Sequence, residues 1–497
     1  MSTGMEPWRN GIVLTCVAVY LLACVGLGLW ALRRTHSAKD FFIAGRTLGV
    51  LVTGLAVFSS TLSGFGFVGG PGLVYRLGTS SLWMVVCSSI GFVLAFYLLA
   101  KRLWLFSELR QSISLPDAVA ARYRSESTRF LTALAILLGV MGYLATQILA
   151  MGIVLQDVLQ RSFGNVSLEL AVGISCAVLV FYCVTGGIVA SVYTDLVQGL
   201  VMMVAAVLVL VTAIRAFDGG FAGMSRILLA DDPEAIGPWG TLGIFGALSW
   251  YFVFSLGLCG QPHIVTKMMM NRKLESARHI LPLSLGAYAV AAMLWISIGL
   301  AMRALVLDGR EPSLEVADAA APVFLQHYAH PVLAGVVIAG LFAAIMSTAD
   351  SFLNIGAAAV VHDIPRALRG RSLGNELLWA RVATVVLAVI AALFALYSGE
   401  DLVALLGAFG WGTFAAALVP AVAIGFNWKR ASALAANVAI VSSLLINFGV
   451  KLFGVSMPYG IDVGAVALLV SLTLFFGISL ARKPPEIDAD IAAAMDM

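Results

Sequence analysis

The feature that most constrains this chain is a succession of apolar runs, most of them at or above the roughly 20 residues a helix needs to cross the hydrocarbon core of a bilayer. Thirteen can be read, over 11–32, 47–76, 81–105, 129–158, 167–187, 190–214, 240–262, 278–305, 331–361, 375–398, 401–427, 430–452 and 459–481. Backbone polar groups in lipid must be satisfied internally, so such a chain is expected to fold as an all-α polytopic membrane bundle. Composition agrees: 61% of the 497 residues are hydrophobic and 11% are charged, against about a quarter charged in an ordinary soluble domain. That balance excludes a cytosolic enzyme, a disordered regulator and a nucleic-acid binder. The 49 glycines suit helices that approach closely through small residues. The net charge of +3 implies no polyanionic partner.

Orientation follows from lysine and arginine, which favour the cytoplasmic side. The first run is too long for a secretory signal, follows Glu6, and precedes Arg33 and Arg34 instead of a small-residue cleavage site, so it is expected to remain. With the N-terminus outside, 22 of the 30 basic residues fall in inner segments, Lys267, Arg272, Lys273 and Arg278 among them. The outer segments keep eight. The C-terminus is then cytoplasmic, and the acidic tail over 484–497 is expected to be unfolded. The six cysteines lie within or against apolar runs and the six histidines mainly between them. Neither set has metal-ligand spacing, and the cysteines read as packing residues.

Chemistry is expected where polar groups or helix breaks occur at membrane depth, since each is costly there. The second span reads GLAVFSSTLSGFGFVGGPG over 54–72, with Ser59, Ser60, Thr61 and Ser63 beside several glycines. It can unwind and free carbonyls for a cation, or it can be a small-residue packing face. The seventh span reads SWYFVFSLGLCGQPHIV over 249–265, broken by Gly257, Gly260 and Pro262 and carrying Gln261. The two breaks are five spans apart, so spans 2–6 (47–214) and 7–11 (240–427) read as an inverted five-helix repeat whose first helices are discontinuous. The extra helix over 11–32 precedes it and two helices over 430–481 follow, all within one transporter domain over 1–497. In the ninth span Ser347, Asp350 and Ser351 share a helix face, with Thr348 on its flank. Hydroxyl, carbonyl and carboxylate oxygens suit sodium, a hard cation; hydroxyls bonded back to their own helix are the other reading. In the sixth span Asp195 enters a membrane helix beside Thr194 and Gln198, either as a functional carboxylate or as an interfacial cap.

Taken together these segments resemble the sodium:solute symporter family, which has the leucine-transporter fold, and within it the proline and pantothenate branches. The likeness rests on FIAGRTLG at 42–49, GGPGLVY at 69–75, SLPDAVAARY at 114–123, TGGIVASVYTDLVQ at 185–198, GQPHIV at 260–265 and AAIMSTADS at 343–351. It implies a sodium site from the carbonyls of Ser59, Leu62 and Ala344 and the hydroxyls of Ser347 and Thr348. It also implies a coupling role for Asp195, with Asp350 and Ser351 in a second cation or proton site. The implied substrate positions are Thr61, Ser63, Gly64, Phe65, Tyr143, Gln147, Phe254, Leu258 and Gln261. Three of these depart from the proline branch, which has aspartate, tryptophan and tyrosine where this chain has Thr61, Phe254 and Leu258.

The resulting expectation is a sodium-coupled symporter that imports a small organic solute, an amino acid such as proline or a carboxylate such as pantothenate, by alternating access across the cell membrane. Its partners are the solute, sodium and the lipid bilayer, with no nucleic acid and no obligatory oligomer. Proton coupling through Asp195 and Asp350 is the alternative within the class. A channel would need a continuous polar pore, a membrane enzyme a nucleophile–base pair or metal cluster, and a sensor an appended signalling domain; none of these is read in the chain.

Overall fold

The computed structural model describes residues 7–63, 69–231, 239–240, 243–397, 410–455 and 457–497. Among them the regular elements are all helical. Fourteen helices carry the argument: α1 (Pro7–Leu32), α2 (Val50–Thr61), α3 (Gly70–Leu77), α4 (Leu82–Ala95), α5 (Leu115–Tyr123), α6 (Glu126–Phe163), α7 (Leu168–Arg215), α8 (Gly243–Trp250), α9 (Ala277–Leu307), α10 (Pro331–Ala358), α11 (Glu376–Tyr397), α12 (Ala433–Leu452), α13 (Val463–Ala481) and α14 (Ala489–Asp496).

Ten helical stretches among the described residues are long and apolar enough to cross a membrane, fewer than the thirteen runs in the sequence. The difference has local causes. The second run is divided into α2 and α3. The eleventh is described only from Gly410, as a shorter apolar stretch to Ile424. The fifth and sixth join into α7, a 48-residue helix, which if straight would be about 72 Å long, more than twice the hydrocarbon thickness. It turns instead at Gly187, whose φ of +51° is left-handed backbone. A Cβ there would also collide with Phe41, so glycine is required on both counts.

α7 lies at the centre and packs against α1, α2, α6, α9, α10 and α11. Both expected discontinuities are present. α2 stops at Thr61, and Leu62 (φ −91°, ψ 95°) and Ser63 leave the helix. The seventh run passes from α8 through a π-helical stretch, Tyr251–Leu256, and a 3₁₀ tip, Gly257–Gly260. It then breaks at Gln261 (φ −78°, ψ 104°), and Pro262 opens a new turn. A second 3₁₀ segment, Thr266–Met270, follows. The start of one broken run is stitched to the end of the other. The Leu48 N–H donates to the Met270 carbonyl at 3.3 Å, and the Arg272 N–H donates to the Leu48 carbonyl at 3.1 Å.

Two expectations are corrected. The segment after Lys483 is not unfolded: α14 buries Ile491, Ala494 and Met495, and its acids pair with basic residues of neighbouring segments. Arg110 meets Asp488 at 2.7 Å and Asp490 at 2.5 Å, and Lys429 meets Asp496 at 2.6 Å. Lys267 is not a loop cation; it is 1% exposed inside the bundle. At the end where the arginine-rich segments gather, Asp117 on α5 contacts Arg129, accepts from His362 at 2.9 Å, and lies 3.6 Å from Arg366. Glu376 takes the other ring nitrogen of His362 at 2.9 Å.

Candidate functional site

A helix that stops inside a bundle leaves its last carbonyls without helical partners. At the end of α2 those carbonyls face α10. The Ser347 hydroxyl donates to the Ser59 carbonyl at 3.1 Å and to the Ala344 carbonyl at 3.0 Å. The Thr348 hydroxyl reaches the Ser60 carbonyl at 3.4 Å and the Ala344 carbonyl at 3.3 Å. Ser59, Ala344, Ser347 and Thr348 are all fully buried. Leu62 follows directly, its N–H on the Ser59 carbonyl at 3.2 Å. The structure thus gathers neutral oxygens from two helices at one spot, the donor type a hard monovalent cation takes. These hydroxyls bond back to their own helix and also across to α2.

A second cluster lies one turn further along α10. Asp350 accepts from Tyr182 at 2.9 Å, Ser191 at 2.7 Å and Ser351 at 3.2 Å. Asp195 is fully buried in the body of α7, so it is no interfacial cap. Its carboxylate holds the Lys267 ammonium at 2.6 Å. The same ammonium donates to the Ala56 carbonyl at 3.1 Å and contacts the Ser60 hydroxyl. Ser60 lies 3.3 Å from the Ser351 hydroxyl, so a chain of polar contacts links Lys267 to Asp350. Sequence reasoning missed Lys267 because it follows the helix-breaking Gln261-Pro262 pair, where a basic residue reads as cytoplasmic.

The expected substrate positions divide. Gly64 and Phe65 lie outside the described residues. Tyr143 on α6 donates to the Ser63 hydroxyl at 2.7 Å, joining two of them. Thr61 bonds back to the Val57 carbonyl at 2.9 Å. Gln147 is buried on the same helix as Tyr143. Gln261 donates to the Gly257 carbonyl and the Trp411 carbonyl, each at 3.1 Å. Leu258 is fully buried beside Gly91, where a Cβ would meet it at 2.9 Å. Phe254 has its ring 5.7 Å from that of Trp411. An aromatic wall the sequence did not disclose runs alongside: Phe352 lies 4.9 Å from Tyr143, 4.5 Å from His263 and 6.0 Å from Phe414, centroid to centroid. The one available signal was His263 within the GQPHIV segment.

Comparison with known proteins agrees with this architecture. The model of the sodium:solute symporter family matches residues 41–442. The osmoregulated proline transporter of Bacillus subtilis is 28% identical over 87% of this chain and 88% of its own length. A sodium/proline symporter of Staphylococcus aureus is 26% identical over 99% of this chain and 96% of its own. Among solved structures, a Na+-coupled sialic acid symporter in a substrate-bound outward-open state superposes with a TM-score of 0.79. It is 20% identical, covers 96% of this chain and 98% of its own, and shows the fold. The chain therefore belongs to the sodium:solute symporter family, whose members are multi-pass membrane transporters and not enzymes.

Proposed function

We propose that this protein imports a small organic solute together with sodium across the cell membrane, with its N-terminus outside and its C-terminus in the cytoplasm. The observation that carries the reading is the meeting of the unwound end of α2 with the Ser347–Thr348 face of α10. Sodium held by the carbonyls of Ser59, Leu62 and Ala344 and the hydroxyls of Ser347 and Thr348 fixes the broken helix in the shape that receives solute. Solute sits between the two breaks, against Thr61, Ser63, Gly64, Phe65, Tyr143, Gln147, Phe254, Leu258 and Gln261. Binding of either partner then strengthens binding of the other by the same factor. A single chain suffices for this.

The two relatives named above are proline transporters, which makes proline the first solute to test. Thr61 supplies no carboxylate to meet an ammonium, while Phe254 and Trp411 supply an apolar wall. A small carboxylate such as pantothenate, oriented by hydroxyls and helix N-termini, is therefore the second. The test is uptake of labelled proline, other amino acids, short carboxylates and pantothenate into proteoliposomes, under an inward sodium gradient, an inward proton gradient or neither. Accumulation driven by sodium supports the reading. Accumulation driven by protons alone, with no sodium requirement, rejects it.

A further inference from the structure

Lys267 is an uncommon residue to find at this depth. Its ammonium is drawn into the middle of the bundle by the 3₁₀ segment that follows the second helix break, and it is 1% exposed beside a fully buried Asp195. An ionic group with no access to water persists only when it is paired and its remaining donors are used. Here every identified contact is to oxygen: the Asp195 carboxylate, the Ala56 carbonyl and the Ser60 hydroxyl. A carboxylate, a carbonyl and a hydroxyl drawn from two helices are also what a bare alkali cation would use. The ammonium therefore occupies a cation-shaped position and is covalently part of the chain.

The surroundings leave little for a further ion. Asp350 has its charge spread over the Tyr182, Ser191 and Ser351 hydroxyls. The remaining oxygen of Asp195, Oδ1, is buried and without a hydrogen-bond partner among the described residues. A sodium ion arriving at that oxygen would share one carboxylate with the ammonium, and two positive charges at such separation repel strongly where water is excluded. Among the described residues, the Ser59–Ser347–Thr348 cluster has no basic side chain as a hydrogen-bonding partner.

We propose that Lys267 is a tethered cation that takes the place of a second transported ion, so that the chain binds and carries one sodium per solute. The proposal rests on the sodium reading above, because it assigns the single sodium to the Ser347–Thr348 cluster. Removing the ammonium while keeping the oxygens should open a second sodium position.

The test is equilibrium binding of radioactive sodium to the purified full-length protein, together with the steepness of sodium-dependent thermal stabilisation. The wild-type chain is expected to bind about one sodium with a Hill coefficient of about 1. Lys267→Met is expected to bind about two, with a steeper response, and Lys267→Arg to stay at about one. Lys267→Met combined with Asp195→Asn should return to about one, because the carboxylate that holds the added ion is gone. A wild-type stoichiometry of two overturns the proposal whether or not any variant folds. So does a folded Lys267→Met protein that still binds one. A wild-type chain that binds no sodium rejects the symport reading itself, which distinguishes the two failures.

Discussion

The two polar clusters on α10 differ in how they are neutralised. At Ser347 and Thr348 the partners are uncharged: hydroxyls of one helix on carbonyls of another. At Asp350, one turn on, the cluster holds two carboxylates and a fully buried ammonium. Dipoles alone attract a cation and release it at modest cost, whereas a carboxylate already paired with a lysine is held by the fold. Position in the bundle is nearly the same for both, so the charge supplied by the chain is what separates the proposed sodium pocket from the fixed ion pair.

Several measurements sharpen or break that contrast. The largest effect is expected from Asp195→Asn, which strands the Lys267 ammonium in the interior. Such a break costs about 3–5 kcal/mol and should appear as a large fall in thermal stability with no change in the apparent sodium affinity of whatever remains folded. A normal melting temperature would show that the pair is not permanent.

The Asp117 carboxylate is a second fixed charge, remote from both clusters. Burial pushes it up, but hydrogen bonds from His362 and the charge of Arg129 outweigh burial and bring it from 3.8 down to about 2. The folded chain then binds fewer protons than the unfolded one in that window. This contribution, on the order of 2 kcal/mol, is complete above about pH 4 and lost as pH falls through about 2. Asp117→Asn should therefore lower stability at pH 7, with the gap to wild type closing on acidification and the sodium response untouched.

Thr348→Ala acts on the neutral cluster. It is expected to raise the sodium concentration for half-maximal uptake about tenfold, or about 1.4 kcal/mol, while melting changes little. A large stability loss with unchanged sodium dependence would place Thr348 with the structural groups. The smallest effect belongs to Ser60, whose carbonyl serves one cluster and whose hydroxyl serves the other. Ser60→Ala keeps the carbonyl and removes only the hydroxyl, so it should lower stability by about 1 kcal/mol with the sodium dependence of uptake little changed. A shift in sodium dependence as large as that of Thr348→Ala would show that the two clusters are not separate.

Much of this was legible in the sequence, for physical reasons that also mark where legibility ended. Crossing a bilayer demands length and apolarity, both one-dimensional properties, so runs such as 278–305 and 331–361 lie close to α9 (Ala277–Leu307) and α10 (Pro331–Ala358). Breaks at Leu62 and Gln261 were marked by glycine, proline and hydroxyl residues out of place in a spanning helix. Depth was harder to read. Lys267 looked peripheral because its burial depends on α7 and α2, remote in sequence. Partnerships across long separations were invisible as well. Asp117 and His362 are 245 residues apart, and the acids of α14 needed Arg110 and Lys429 in place before their charge meant anything but solubility. Gly187 closes a Thr185-Gly186-Gly187 run, and the boundary read between 187 and 190 falls at the kink it makes.

The paired bonds between Leu48 and the Met270–Arg272 segment hold the two broken runs together at one end. Any tilting of the two interrupted helices that preserves these bonds would keep the joined ends together while their far ends move through the wider arc.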